Sequence, residues 1–369
     1  MKRKPMVTVL MPVYNGGEYL RLSIESILAQ TYKDFELLII NDCSTDNSME
    51  VVRSFNDARI VVHNNAVNMG QTKSLNVGLR LAKGRYIVVN DADDLSLTQR
   101  IEKQLDFIMK HPEYAVVGTS AFIMDRSGRI RRHLLKSTDH MGILLCILND
   151  TPVIHGSVIM DKNVIMSQGG YDEEFRICQD YAFWSFLIRK GFQIANIPDR
   201  MVVIRHYMDS ISFKEKDAQT LENGKIIYEN VIAMTTLKIT HEEAIRQRMF
   251  FAAPERLDKG DFKKAEELFV SEYKNLKNQG SFDPGFILQR LRSRMVKPFS
   301  KLAIAEFKSG RLKEARATAR DFIKRYGFSS IPFMIWMASY SSKIVLDVML
   351  AFYEKWHEIL VRRSAVWGR

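Results

Sequence analysis

Short apolar runs alternate with amphipathic stretches through the first part of the chain. Val7-Thr8-Val9-Leu10-Met11-Pro12-Val13 is a buried-strand candidate, and the turn Tyr14-Asn15-Gly16-Gly17 leads from it into an amphipathic helix over about residues 18–30. The pattern recurs. A strand over 35–40 ends in the polar turn Asn41-Asp42-Cys43-Ser44-Thr45-Asp46, where Asp46 or Ser44 can cap a helix to about residue 55. A shorter strand follows at 59–62, then a helix from Asn68-Met69-Gly70-Gln71-Thr72 through Leu81, closed by Lys83-Gly84. Strand and helix at this spacing make βαβ units and a mostly parallel sheet flanked by helices.

The next apolar segment, Arg85-Tyr86-Ile87-Val88-Val89-Asn90, runs into Asp91-Ala92-Asp93-Asp94. In an open α/β sheet, ligands sit outside the carboxyl ends of the strands, so these acids fall where a substrate would. Three carboxylates this close repel one another, and a fold that keeps them ionised needs a compensating cation. Mg²⁺ or Mn²⁺ suits hard oxygen ligands, with one or two carboxylates completed by substrate phosphates and waters. A plain alternative stands beside this: Asp93 or Asp94 capping a helix that continues through Leu95-Ser96-Leu97-Thr98.

That helix would run to about residue 110, followed by strands at 115–118 and, with a polar interruption, 151–160. Gly169-Gly170-Tyr171-Asp172 marks a turn, a helix starts at Gln179-Asp180 and continues to about Lys190, and residues 202–207 close the sheet region. Past residue 214 the strand pattern stops. The expected organisation is an α/β domain over 1–214 and an all-α region over 215–369, in which Gly260-Asp261-Phe262-Lys263-Lys264-Ala265 and Gly310-Arg311-Leu312-Lys313-Glu314-Ala315 repeat as tetratricopeptide-like hairpins. The apolar stretch 331–353 is interrupted by Pro332, Lys343 and Asp347, which disfavours a membrane span and leaves a buried hairpin or an interfacial helix.

Composition adds three constraints. A hydrophobic share of 46% with 26% charged residues is that of a soluble globular protein. Cys43, Cys146 and Cys178 lack metal or redox spacing, which suits a reducing cytoplasm, and the run after Lys2-Arg3-Lys4-Pro5 does not read as a secretion signal. The formal charge of +11 is uneven: residues 211–369 hold 29 Lys and Arg against 19 Asp and Glu, leaving 25 against 24 before them. That excess suggests peripheral contact of the basic C-terminal helices with the inner face of the cell membrane, or simply a solvated helix face; a nucleic-acid partner is not expected.

Four ordered pieces, Met11-Pro12-Val13-Tyr14-Asn15, Asp42-Cys43-Ser44-Thr45-Asp46, Asp91-Ala92-Asp93-Asp94 and Gln179-Asp180, closely resemble the glycosyltransferase family 2 enzymes of the GT-A fold over about the first 215 residues. The resemblance implies that Pro12, Val13, Tyr14, Asn15, Asp42, Asp91 and Ala92 hold the nucleotide of a nucleotide-sugar donor, with Asp42 accepting from a uracil-type base. Asp91 and Asp93 match the family's D-x-D, with Asp93 and His206 on the metal side; Asp180 matches the catalytic base, and His155 and Gln179 fall on the acceptor side. Two departures are visible: Gln179 stands where an acid is common, and Asn41 replaces a frequent Asp. Without a Gln-x-x-Arg-Trp motif or flanking spans, a processive synthase is disfavoured.

Read alone, these residues have plainer roles. Asp180 can be a helix N-terminal acid favoured by the macrodipole, His206 and His155 satisfied histidines, and Trp184 core. With the resemblance, the expected activity is metal-dependent, inverting transfer from a UDP-sugar to a hydroxyl of a glycan or lipid-linked acceptor in surface polysaccharide synthesis. Two competing functions are a nucleotidylyltransferase, which should carry a basic phosphate loop that residues 14–18 lack, and a non-catalytic nucleotide-binding scaffold, in which Asp180 is dispensable.

Overall fold

The computed structural model describes residues 4–206, 215–276 and 284–326, and the chain divides into two compact units, Met1–Glu222 and Asn223–Arg369. In the first, β1 (Val7–Val13), α1 (Leu20–Leu28), β2 (Phe35–Asn41), α2 (Ser48–Arg53), β3 (Ile60–Asn64), α3 (Gln71–Leu81) and β4 (Tyr86–Val89) alternate as expected. They are followed by β5 (Leu95–Ser96), α4 (Arg100–Lys110), β6 (Tyr114–Met124), β7 (Ile130–Leu134), α5 (His140–Ile147), a 3-10 turn at His155–Ser157, β8 (Ile159–Asp161), α6 (Lys162–Ser167), α7 (Gln179–Arg189) and β9 (Gln193–Arg205).

Among the described residues, nine strands form one sheet in the order β3-β2-β1-β4-β8-β6-β9-β5, with β7 paired to β6. The long ladders are parallel: β2 with β3 and with β1, β1 with β4, and β6 with β9. Short antiparallel pairings of β8 with β4 and β6, and of β5 with β9, complete it. All seven positions of β1 and of β2 are buried, the mark of strands covered on both faces. The pleat sends Val7, Val9, Met11 and Val13 to a core with Leu20, Ile24 and Ile27 of α1 and Ile101, Leu105 and Ile108 of α4. Leu10 points the other way, onto α3, where Gly78 makes room: a Cβ there would lie 2.1 Å from Leu10 Cδ1.

Two expectations change. Residues 95–98 do not continue a helix from the acids; Leu95 and Ser96 pair instead with Val203 and Val202 of β9, and α4 starts only at Arg100. The stretch 151–160 is loop and 3-10 turn before the three residues of β8, because the polar His155-Gly156-Ser157 segment folds in against the acids rather than extending. The sheet curls enough for one guanidinium to reach both β4 and β5: Arg100 donates to Val89 O at 2.8 Å and to Ser96 Oγ at 2.8 Å.

Helix α8 (Lys216–Met234) crosses from the first unit into the second, which continues with α9 (His241–Ala252), α10 (Lys259–Lys274), α11 (Pro284–Lys308) and α12 (Leu312–Tyr326). α9 packs on α10 and α11 on α12. A capping box of Thr240 and Glu243 starts α9. Gly260 does not form a turn; it lies in the first turn of α10, which Asp258 caps through the Asp261 N–H at 2.8 Å, whereas Gly310, with φ +77°, does lie between its helices. Aromatic contacts Phe250–Phe262, Phe251–Phe269 and Phe299–Phe322 fill this core. Among the described residues no helix is long and apolar enough to cross a membrane; the stretch 331–353 lies outside them.

Candidate active site

The loops after β1 and β2 are stapled together at the carboxyl end of the sheet. Asn15, held at φ +50°, accepts from Thr45 N at 2.8 Å and donates its own N–H to Ser44 Oγ at 3.1 Å. Gly16 N donates to Ser48 Oγ, and Gly17 N to Asp46 Oδ2. Pro12 and Val13 are buried in β1, and Tyr14 is 53% exposed at the rim. Asp42 is buried with its carboxylate already engaged: Oδ1 accepts from Asn65 Nδ2 and Met69 N, and Oδ2 from Gly70 N at 2.8 Å. It therefore ties the end of β2 to the loop that opens α3.

At the end of β4 the chain turns sharply, with Asp94 N bonded to Asp91 O at 3.2 Å. Asp91 Oδ1 accepts from Gln71 Nε2 at 3.3 Å and lies 3.9 Å from His155 Nδ1. Asp94 is buried and accepts from Arg205 N at 2.9 Å, while Arg205 Nε reaches Asp93 O at 3.4 Å. Ala92 packs on the core and Asp93 is half-buried. Gly156 is pressed against the acids: a Cβ on it would stand 2.9 Å from Asp91 Oδ2 and 3.2 Å from Asp94 Oδ2.

The start of α7 meets the acidic turn through a side-chain link. Gln179 donates to Gln71 Oε1 at 3.2 Å, so two amides link Asp91 to the first residue of α7, and the next residue is Asp180. Asp180 Oδ1 accepts from the Tyr181 N–H at 2.7 Å. His155 is buried between these groups, 3.1 Å from Tyr171 Oη through Nε2. Trp184 is wholly buried beside it, as core. His206 is exposed at the end of β9, next to the Arg205 that binds Asp94. Gln71, Tyr171 and Arg205 were not singled out by sequence; their roles depend on partners far along the chain.

Residues 8–168 match the family described as Glycosyl transferase family 2. EpsE of Bacillus subtilis (strain 168), named as a glycosyltransferase, is 33% identical over 235 residues, covering 62% of this chain and 83% of its own. The chain belongs to glycosyl transferase family 2. This glycosyltransferase is also 30% identical over 207 residues to MJ1057 of Methanocaldococcus jannaschii, an uncharacterized glycosyltransferase, over 55% of this chain and 71% of that one. Its fold is that of the crystal structure of S. aureus TarS 1-349 in complex with UDP-GlcNAc, with TM-score 0.51, 15% identity and 90% of each chain covered.

In the glycosyltransferase the acids sit under electrostatic tension. Burial, then the neighbouring Asp93, push the Asp91 carboxyl up to about 7, against the pull of Arg100. Asp94 is raised well above the carboxylate range by burial, Asp93 and Asp91. Burial raises Asp180 too, opposed by His155, the Tyr181 N–H and Lys136, and burial keeps His155 below its usual value. A carboxyl raised in the folded state favours folding when protonated, and this contribution is lost as pH rises through the folded pKa. Asp94→Asn keeps the oxygen that accepts from Arg205 N and removes the charge. We expect it to melt higher than wild type by a few degrees at pH 8 in chelator, the gain fading toward pH 4; an equal or lower melting temperature at pH 8 would refute the tension.

Proposed function

We propose that this enzyme is a metal-dependent, inverting, non-processive glycosyltransferase that moves a sugar from a nucleotide-diphosphate donor to a hydroxyl of a glycan or lipid-linked acceptor in surface polysaccharide synthesis. The observation that supports the reading is the amide link from Asp91 through Gln71 to Gln179, which brings the start of α7 to the acidic turn, close enough for Asp91 to add to the burial that pushes the Asp180 carboxyl upward. The UDP-GlcNAc complex of the TarS neighbour makes UDP-sugars the first donors to test.

The stapled loops after β1 and β2 carry the base and ribose, with Asp42 shaping that pocket through the 65–70 loop it holds. Among the described residues no three of His, Cys, Asp and Glu gather as a metal-binding set. The acidic turn nevertheless fits a Mg²⁺ or Mn²⁺ ion in the family manner, since such ions need only one or two carboxylates when phosphates and waters complete the shell. Two carboxyls pushed upward by burial and by each other are what such a cation would relieve. Asp93, with Asp91 beside it in the turn, would hold it, and when bound it would supply positive charge to the leaving diphosphate; the expected His206 lies exposed at the end of β9 and completes no three-residue set with them.

On the acceptor side Asp180 takes the hydroxyl proton as the oxygen attacks the anomeric carbon. The new carbon–oxygen bond forms opposite the breaking bond to the diphosphate, so configuration inverts and one carboxylate suffices. His155, neutral through burial, and Tyr171 line this side without adding charge. Cysteine usage and the basic surplus of residues 211–369 support work in the cytoplasm at the inner membrane face.

The test is a thermal-shift screen of nucleotide sugars with Mn²⁺, since a ligand of the native state raises its apparent stability. UDP or a UDP-sugar with Mn²⁺ should raise the melting temperature by several degrees, and Asp93→Ala should lose the Mn²⁺-dependent part. Absence of a shift with every nucleotide sugar, or an undiminished Mn²⁺ effect in Asp93→Ala, counts against the reading.

A further inference from the structure

The turn that delivers Asp180 is held on two sides, one of them from outside the matched family segment. Residues 171–178 lead into α7, whose N-cap, Cys178, offers no side-chain cap to the helix. On one side α3 grips the turn: Thr72 Oγ1 donates to Phe175 O at 2.8 Å, and Asn76 both accepts from Tyr171 N and donates to Tyr171 O, each at 2.9 Å. The other grip comes from α8. Glu222 Oε1 accepts from Arg176 N at 3.0 Å, while Glu222 Oε2 accepts from Ile177 N at 3.0 Å and Cys178 N at 2.8 Å. One turn earlier on the same helix, Gln219 O accepts from Cys178 Sγ at 3.7 Å.

Three consecutive backbone N–H groups just before a helix are donors that the helix cannot satisfy itself. A single carboxylate meeting all three fixes the direction in which α7 departs, and charge-assisted bonds of this kind are stronger than neutral ones. Asp180 sits two residues past the last clamped N–H, with its own Oδ1 occupied by the following N–H, so its position follows the clamp. A base displaced by about 1 Å from its substrate can lose on the order of 100-fold in rate.

We infer that Glu222 is a positioning residue for sugar transfer: its carboxylate, by clamping the N–H groups of residues 176–178, holds Asp180 at the acceptor side. This rests on Asp180 being the base. Helix α8, placed by sequence in the C-terminal region, thus contributes to the site, and the same helix runs on into the second unit.

The test compares wild type, Glu222→Ala and Glu222→Gln in the full chain by three readouts. Amide hydrogen exchange should show protection at residues 176–178 falling about 10-fold or more in Glu222→Ala and less in Glu222→Gln, which keeps one accepting oxygen. Calorimetric titration with UDP and Mn²⁺ should give an unchanged number of sites and an affinity within about twofold, because the donor loops are untouched. Turnover of the donor identified by the thermal screen should fall about 10–100-fold in Glu222→Ala, with Glu222→Gln between. Unchanged amide protection, or wild-type turnover despite lost protection, overturns the inference; so does a loss of UDP sites in step with turnover, which marks general unfolding. Wild type that turns over no nucleotide sugar sinks the functional reading instead, while the exchange measurement still decides whether Glu222 holds the turn.

Discussion

Asp180→Asn should bind UDP with Mn²⁺ as wild type does and yet transfer sugar about 10²–10⁴-fold more slowly, the usual contribution of a positioned general base. The substitution is nearly isosteric, and the hydrogen bond from the Tyr181 N–H to Oδ1 can be kept by the amide oxygen. What disappears is the ability to take a proton. The pH dependence gives a second readout with a definite sign. Burial holds Asp180 above the ordinary carboxylate value, with His155, the Tyr181 N–H and Lys136 pulling back. Transfer requires the ionised form, so wild-type turnover rises with pH through that elevated pKa, and its acid limb lies above the ~3.9 of a free aspartate. The residual activity of Asp180→Asn should lack this limb. Full transfer by Asp180→Asn would remove the base assignment.

What the sequence made legible follows from how information is stored along a chain. Strands β1, β2 and β4 stand out because burial on both faces demands an unbroken apolar run, and the acids that end β4 are adjacent in sequence. Asp42, Asp91 and Asp180 are singled out by residue type and order. Their partners are not, since no local pattern connects Gln71 to Asp91 or to Gln179, or Glu222 to residues 176–178. β5 reads as helix in the sequence because two residues carry no period; only its pairing with β9 makes it a strand. Gly260 differs from its expected turn for another reason. The informative residue was Asp258, two positions earlier, whose carboxylate meets the Asp261 N–H and starts the helix before the glycine. Asp42 shows the limit of residue type: its place in the polar turn after β2 is legible, whereas its three protein donors, which leave it holding the 65–70 loop, are not.

The largest effect on stability should come from Arg100, a wholly buried guanidinium beneath the acidic turn. Every nitrogen is used: Nε donates to Gln104 Oε1, Nη1 to Asn90 Oδ1 and Ser96 Oγ, and Nη2 to Val89 O and Val158 O. Burial pulls its pKa down to about 9, against the field of Asp94 and Asp91, so it stays charged at neutral pH and is the buried counter-charge to those carboxyls. Arg100→Ala leaves oxygens from β4, β5 and the start of β8 short of a donor, opens a cavity, and removes that charge from beneath the acids. Breaking a buried pair from one side costs about 3–5 kcal/mol. For a unit of this size that lowers the melting temperature by on the order of 10 °C. Arg100→Lys should recover only part of it, because one ammonium cannot reach all the acceptors fanned around a guanidinium fork. The charge component can be separated by pH. Asp91 and Asp94 are raised in the folded protein, so lowering the pH protonates them and makes the missing cation matter less; the deficit of Arg100→Ala should therefore shrink between pH 8 and pH 5. A deficit that stays constant across that range would mean that the guanidinium serves only the backbone and polar oxygens around it, and that the acidic turn is balanced from elsewhere.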